Sequence, residues 1–132
     1  MVRTRRRGTA IVDTPKGILL VSLDGTNFTL PGGGAKPKES RRQAAIRELM
    51  EETGMKAVSL KHLFEFLGGV HAGPRGGSFR NAHEVFRVTA TGTSEPGQEV
   101  KRVAYYDGSN LSLTPSAKKI VAKYQSINEK RS

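Results

Sequence analysis

The order of apolar patterns along the chain predicts a layered domain of helix and sheet, α+β or α/β, rather than a regular βαβ array. Short β-branched runs come first, a helical segment closed by glycine follows, and further strand patterns lead to a second, closing helix. At 132 residues and with no internal repeat, the chain is long enough for one core without disulfides or structural metals. Residues 1–132 are therefore expected to form a single domain.

Residues 8–13 and 17–23 are apolar and β-branched and are joined by Thr14-Pro15-Lys16, which predicts two strands and a turn. Asp24-Gly25-Thr26-Asn27 is a second turn, and residues 28–30 form a short strand that delivers the chain to Pro31-Gly32-Gly33-Gly34. Those glycines permit backbone conformations closed to other residues and let carbonyls or amides approach a ligand. A helix follows, with Glu39 and Ser40 near its start and Ser40 equally able to cap it. Good helix formers run through Gln43, Ala44, Ala45, Arg47, Glu48, Leu49 and Met50 to Gly54 as the stop.

Beyond it, residues 57–67 are mixed and contain a strand expected to bury Val58, Leu60, Leu63 and Phe64 or Phe66. Residues 84–91 alternate cleanly, and residues 99–106 give another strand. Thr114 caps the closing helix, Pro115 takes its first position, and Ile120, Val121 and Tyr124 form its buried stripe. Residues 1–7 read as a basic arm and residues 128–132 as a frayed tail. Residues 68–83, GGVHAGPRGGSFRNAH, are too rich in glycine to pack and too long for a tight turn. They are expected to be a long loop, either of the kind that covers substrates, with His71, His83, Arg75 and Arg80 available for phosphates or proton transfer, or a mobile connector with no catalytic part.

Chemistry concentrates on the first helix. Glu48, Glu51 and Glu52 stand at i, i+3 and i+4, so their carboxylates share one side within a turn. Ala45, Leu49 and, at the margin, Ile46 hold the other side. Three like charges so close raise one another's pKa unless a cation sits among them, and they lie at the helix end where the dipole disfavours negative charge. A hard divalent cation resolves both. Mg²⁺ takes oxygen ligands only and needs one or two carboxylates plus waters and phosphates. Arg47 can pair with Glu51 one turn on.

Gly33, five residues, Glu39, seven residues, then Arg47-Glu48-Leu49-Met50-Glu51-Glu52-Thr53-Gly54-Met55 resembles a complete Nudix box, G-x5-E-x7-R-E-U-x-E-E-x-G-U with U apolar, over residues 33–55. A random window matches such a pattern with a chance on the order of one in a billion at ordinary residue usage. The resemblance implies the Nudix fold, an α/β/α sandwich in which a mixed sheet lies between the box helix and the C-terminal helix. It implies a Mg²⁺-dependent pyrophosphohydrolase, with Mn²⁺ as an alternative ion. Glu51 and Glu52 are then metal ligands, with the carbonyl of Gly32 or Gly33 beside them. Glu48 handles the attacking water, directly or through another metal, Arg47 orients a box glutamate, and Glu39 braces the box through a charge pair. Many members add a carboxylate from a later segment, and Glu99, or failing it Glu95, is the candidate here. The family loop often carries an acidic residue where Lys36 stands and a glycine where Lys38 stands, a departure that favours more heavily charged substrates.

The net charge of +10 points to polyanionic partners. Arg3, Arg5, Arg6 and Arg7 crowd the N-terminus, and Lys36, Lys38, Arg41 and Arg42 crowd the approach to the acidic helix. Cysteine is absent, so neither a disulfide framework nor a cysteine zinc site is available, which favours a cytoplasmic enzyme. No apolar run approaches a membrane span, and Asp13, Pro15 and Lys16 fall where a signal peptide needs apolar residues. Aromatic candidates for base recognition are Phe28, Phe79, Tyr105 and Tyr106, with core packing the stronger reading for Phe28 and one tyrosine. The expected substrate is a nucleoside diphosphate linked to a further moiety, or a nucleoside triphosphate. Diphosphoinositol and dinucleoside polyphosphates are the rivals within the enzyme class. RNA 5′-end hydrolysis, or nucleic-acid binding through the basic arm with an idle box, is the rival outside it. Family members are often homodimers.

Overall fold

Alternation within the β-branched runs decides the architecture, because successive side chains along a strand serve opposite faces. The computed structural model describes the backbone of residues 1–131 and the side chains of residues 1–128. Its strands are β1 (Val2–Ile11), β2 (Asp13–Thr14), β3 (Gly17–Ser22), β4 (Asn27–Phe28), β5 (Gly32–Gly34), β6 (Lys56–Leu67), β7 (His71–Ala72), β8 (Ser78–Thr91), β9 (Arg102–Tyr106) and β10 (Ser112–Leu113). The helices are α1 (Arg41–Thr53), after β5, and α2 (Pro115–Arg131), which ends the chain. The main sheet runs β5-β1-β8-β6 with β7 alongside β8, and is mixed because only β1 and β8 are parallel. The strands β2-β3-β9 form a second sheet, and β4 pairs with β10.

Ala10 and Val12 of the first run, Leu19 of β3 and Phe86 and Val88 of β8 pack with Ala45 and Leu49 of α1. Their neighbours Ile11, Ile18, Leu20 and Val85 pack instead with Ala117, Ile120, Val121 and Tyr124 of α2. One helix therefore covers each face, and the α+β sandwich is as the box implied. Thr114 caps α2, its Oγ1 accepting from the Ala117 N–H at 3.4 Å. The expected frayed tail of residues 128–132 falls on the end of this helix, which reaches Arg131; Ser132 lies outside the described residues.

Four expectations need correction. Residues 1–7 are not a free arm but most of β1, paired with β8 from Val2↔Ser78 to Ile11↔Arg87 and with β5 from Arg7↔Gly34. Residues 68–83 are not one long loop, since His71–Ala72 and the first part of β8 pair as a hairpin. Their polar and glycine-rich composition hides a strand held by backbone bonds to equally polar β1. In β6, register shifts between Ala57 and Ser59 and between His62 and Phe64 break the alternation. They leave Val58 62% exposed while Phe64 is buried. The triple glycine, read as a turn, forms the short edge strand β5.

Candidate active site

Ser40 starts α1 through a reciprocal cap: its Oγ accepts from the Gln43 N–H at 3.0 Å, and the Gln43 side chain accepts from the Ser40 N–H at 2.9 Å. The helix then lies so close to β1 that a Cβ on Gly8 would collide with the Arg41 carbonyl. Gly54, at φ 75°, stops it with its N–H on the Met50 carbonyl at 2.8 Å. Residues 95–98 hold the far end. The N–H groups of Glu95, Gly97 and Gln98 donate to the carbonyls of Thr53, Glu52 and Glu51 at 3.0, 2.8 and 3.1 Å.

Arg47 organises the acidic side. Its Nε and Nη2 reach Glu39 Oε2 and Oε1 at 2.8 and 2.9 Å, a forked pair. Nη1 reaches Glu48 at 2.7 Å and Glu51 at 3.2 Å, and Nη2 also donates to the Gly34 carbonyl at 3.1 Å. Arg47 hydrogen bonds, followed by the Lys36 N–H, hold the Glu39 carboxyl well below its usual range. The same bonds to Glu39 raise the Arg47 pKa further.

Glu52 turns the other way. Its Oε1 accepts from the Gly32 N–H at 2.9 Å, a second tie between the glycine strand and the helix beside the Arg47 bond to the Gly34 carbonyl. Glu52 is half-buried, and burial pushes its carboxyl up to about 8, with neighbouring Glu48 adding to the rise and Gly32 and Arg7 opposing it. A Cβ on Gly33 would lie 2.5 Å from Glu48 Cδ, so only glycine leaves room for that carboxylate.

Among the described residues, no three histidine or acidic side chains converge as a ready metal cage. Mg²⁺ does not need one: one or two carboxylates, completed by water and phosphate, are its usual protein share. The Glu48–Glu52 pair fits that role. It is oxygen-only and partly shielded from water, and that burial drives Glu52 toward its neutral form.

The remaining expected residues are dispersed. Lys36 and Lys38 are exposed on the connection before α1. Arg75 is exposed near the tip of the β7–β8 hairpin, while Arg80 spends Nε and Nη2 on the Gly68 carbonyl, both at 3.1 Å. Glu99 and Glu95 are exposed on the segment that closes the end of α1, Glu99 at a left-handed φ of 61°. Phe28 is core, Phe79 lies under the Arg5 guanidinium at 3.8 Å, and Tyr105 bonds Ser94 at 2.8 Å.

Sequence reasoning grouped Arg7 with the other arginines of the supposed arm. In the structure it lies within the field of the acidic cluster: burial lowers its pKa, and Glu52 and then Glu48 raise it. His83 is also buried, with Nδ1 2.8 Å from Thr9 Oγ1. Burial, then Arg7, lowers its pKa to about 4, which keeps it neutral. The available signal was strand parity, which sets Arg7 on the same face as Thr9 and Ile11.

A mixed sheet between two helices, with an acidic helix seated on a glycine edge strand through an arginine clamp, defines the class. The NUDIX domain pattern matches residues 3–124, and this chain belongs to the Nudix family. It is similar to the Bacillus subtilis (strain 168) protein YtkD, provisionally designated an 8-oxo-dGTP diphosphatase, with 40% identity over 48 residues. That stretch spans 36% of this chain and 30% of YtkD. A crystal structure from Chromobacterium violaceum, of a protein provisionally assigned to the nudix hydrolase family, aligns with TM-score 0.77 and 35% identity over 92% of this chain and 77% of that one. The MutT NUDIX hydrolase of Burkholderia pseudomallei shares the fold at TM-score 0.73 and 18% identity, over 91% of this chain and 97% of its own. Among the described residues, no helix is long and apolar enough to cross a membrane.

Proposed function

We propose that this protein is a divalent-cation-dependent pyrophosphohydrolase that cleaves a diphosphate linkage in a nucleoside triphosphate or in a nucleoside diphosphate bearing a further group. The observation that carries the reading is the Glu48–Glu52 pair, seated on the Gly32 amide and flanked by the Arg47 clamp. Mg²⁺, or Mn²⁺ in its place, would be held by Glu52 and Glu48 with Glu51, the Gly32 or Gly33 carbonyl and Glu99 as further donors. Such an ion supplies charge neutralisation at the phosphate oxygens and acidifies water.

The chain's own residues then have defined tasks. Glu48 accepts the proton of the water that attacks phosphorus, as the P–O bond to the leaving phosphate breaks. Arg47 keeps Glu48 pointed at that water, and Glu39 keeps Arg47 in place through both fork nitrogens. The Gly32 N–H fixes Glu52. Lys36 and Lys38 line the approach to the site, and Arg75 lies out on the hairpin as an outer phosphate contact. Arg80, tied to Gly68, serves the substrate only if that bond opens.

The name of YtkD favours a nucleoside triphosphate over the other candidates. Diphosphoinositol and dinucleoside polyphosphates, and RNA 5′ ends held along the arginines of β1, are the alternative substrates; a homodimer and a cytoplasmic location complete the reading. The test is turnover across a panel of nucleoside triphosphates including oxidised ones, nucleotide sugars, ADP-ribose, dinucleoside polyphosphates, diphosphoinositol polyphosphates and 5′-triphosphate RNA. It is run with Mg²⁺, with EDTA, and with Glu52→Gln. Metal-dependent turnover of one class that Glu52→Gln abolishes supports the proposal. Turnover of none, with RNA still bound by the variant, overturns it in favour of a binding protein.

A further inference from the structure

A cavity of 610 Å³ opens between the segment that follows β8 and the strand β9, lined by Lys16, Thr93, Ser94, Lys101, Arg102 and Tyr105 among others. It belongs to the second sheet, β2-β3-β9, with Lys16 on the turn between β2 and β3. The carboxylates of α1 lie elsewhere, against β5, where Glu52 meets the Gly32 amide and Glu48 abuts Gly33. None of Glu39, Arg47, Glu48, Glu51 or Glu52 lines the cavity.

Its wall is held in place by the backbone. On either side of Pro96, which also lines it, the N–H groups of Glu95 and Gly97 are bonded to the Thr53 and Glu52 carbonyls at 3.0 and 2.8 Å. The Ser94 and Tyr105 hydroxyls are 2.8 Å apart, and the Lys101 N–H donates to the Ser22 carbonyl at 2.8 Å. The concavity is thus present before anything binds, which spares a ligand the cost of ordering it.

The charge in it is of one sign. Three cationic side chains line it and no carboxylate does. The ion pairs of the described residues use Glu39, Glu48, Glu51, Glu65 and Glu84, all with Arg41, Arg47 or His62. Lys16, Lys101 and Arg102 have none among them. Arg102 is partly spent, with Nη1 on the Gly25 carbonyl at 3.1 Å and its guanidinium 5.4 Å over the Phe28 ring. The two lysines are the cations left for a ligand, and a concave site of one sign concentrates counter-ions. Tyr105 is the one aromatic side chain in the lining, and it offers no stacking surface. Lys16 Nζ stands over its ring at 5.7 Å, and its hydroxyl is engaged by Ser94. What the cavity presents is charge and hydroxyl groups.

We propose that this cavity is a second anion site, separate from the carboxylates of α1, which binds a small, multiply charged phosphate compound through Lys16 and Lys101 without recognising a base. Inorganic diphosphate and a sugar bisphosphate share that chemistry. The site does not depend on the pyrophosphohydrolase reading.

The test measures binding to the full chain by calorimetry and by backbone amide shifts, in EDTA so that no metal carries phosphate to Glu48 and Glu52. The probes are inorganic diphosphate, fructose 1,6-bisphosphate, ribose 5-phosphate and adenosine 5′-monophosphate. Diphosphate or the bisphosphate is expected to move the amides of Gly92, Thr93 and Ser94; whichever binds tighter identifies the source of the anion. Lys16→Met with Lys101→Met should weaken that probe about 10-fold or more, while the paired arginine substitutions retain it. Both lysines are exposed, so the melting temperature of the ligand-free protein should not change. Lys36→Met with Lys38→Met should leave this binding intact. Amides that stay still, or unchanged affinity in the Lys16 and Lys101 variant, overturn the site. An equal loss in the Lys36 and Lys38 variant also overturns it, in favour of a diffuse positive field. Adenosine 5′-monophosphate binding about 10-fold tighter than ribose 5-phosphate overturns the exclusion of a base. A protein that hydrolyses no diphosphate would refute the enzymatic reading and leave these outcomes to decide the site.

Discussion

Lowering the pH of the ligand-free protein from 7 to 5 is expected to destabilise it through His83, and His83→Gln is expected to remove that dependence. His83 is 7% exposed, bonded to Thr9 and placed beside Arg7. Burial, with the arginine adding to it, lowers its pKa to about 4 from the ordinary 6.5. Between those values the unfolded chain binds the proton and the folded one does not, so the contribution is fully present above pH 6.5 and lost as pH falls toward 4. The difference amounts to about 3 kcal/mol by pH 4 and about 2 kcal/mol by pH 5. Urea denaturation in chloride buffer, free of phosphate, would compare wild type and variant at pH 7, 6 and 5. His62, His71 and the carboxylates are common to both proteins and cancel. The stability gap between them should shift toward the variant by about 2 kcal/mol over this range. A gap that stays constant, or an imidazole resonance of His83 that titrates at pH 6 or above, refutes the buried neutral histidine.

Two substitutions probe the clamp. Glu39→Gln replaces a forked, charge-assisted pair with a single neutral acceptor. Steady-state turnover should fall about 10- to 100-fold with little change in melting temperature, and unchanged turnover would show that Arg47 needs no brace. Gly33→Ala places a methyl group 2.5 Å from Glu48 Cδ, a flexible side chain that can move aside. The fold should therefore survive, as circular dichroism would show, while turnover drops; full turnover would remove Glu48 from the chemistry.

Helix α1 and its acidic face were legible because cap, glycine stop and i, i+3, i+4 spacing are local properties of the chain. The division of Ala10 from Ile11 and of Val85 from Phe86 between two cores was likewise written in alternation. What stayed hidden depends on partners far away in sequence. The polar stretch from Ser78 to His83 is a strand only because β1 lies beside it, and β1 begins at Val2 only because β8 is there to receive it. Val58 faces solvent because a bulge, which leaves no mark in composition, shifts the register of β6. Arg7 illustrates the functional consequence. Among four neighbouring arginines nothing local distinguishes it, yet it pairs with Gly34 on one side and His83 on the other and lies within the field of Glu52 and Glu48.

The two halves of the candidate site are incomplete in opposite senses. On α1, Glu48 and Glu52 lie together at the helix end that disfavours negative charge, and burial, with Glu48 adding to it, raises the Glu52 pKa. The N–H groups of residues 95–98 occupy the last carbonyls of that helix, so they quiet its dipole without neutralising the carboxylates. On β1, Arg7 is positive, half-buried and without an ion-pair partner among the described residues. Arg7 and the carboxylates lie within one another's field, yet the fold does not close them into a salt bridge, although Arg47 shows that this helix can form several. Keeping them apart leaves room for something that carries both signs at once. A divalent cation on a diphosphate is such a ligand, positive toward Glu48 and Glu52 and negative toward Arg7. On the proposed reading, the unpaired charges of the free protein are therefore the complement of its substrate.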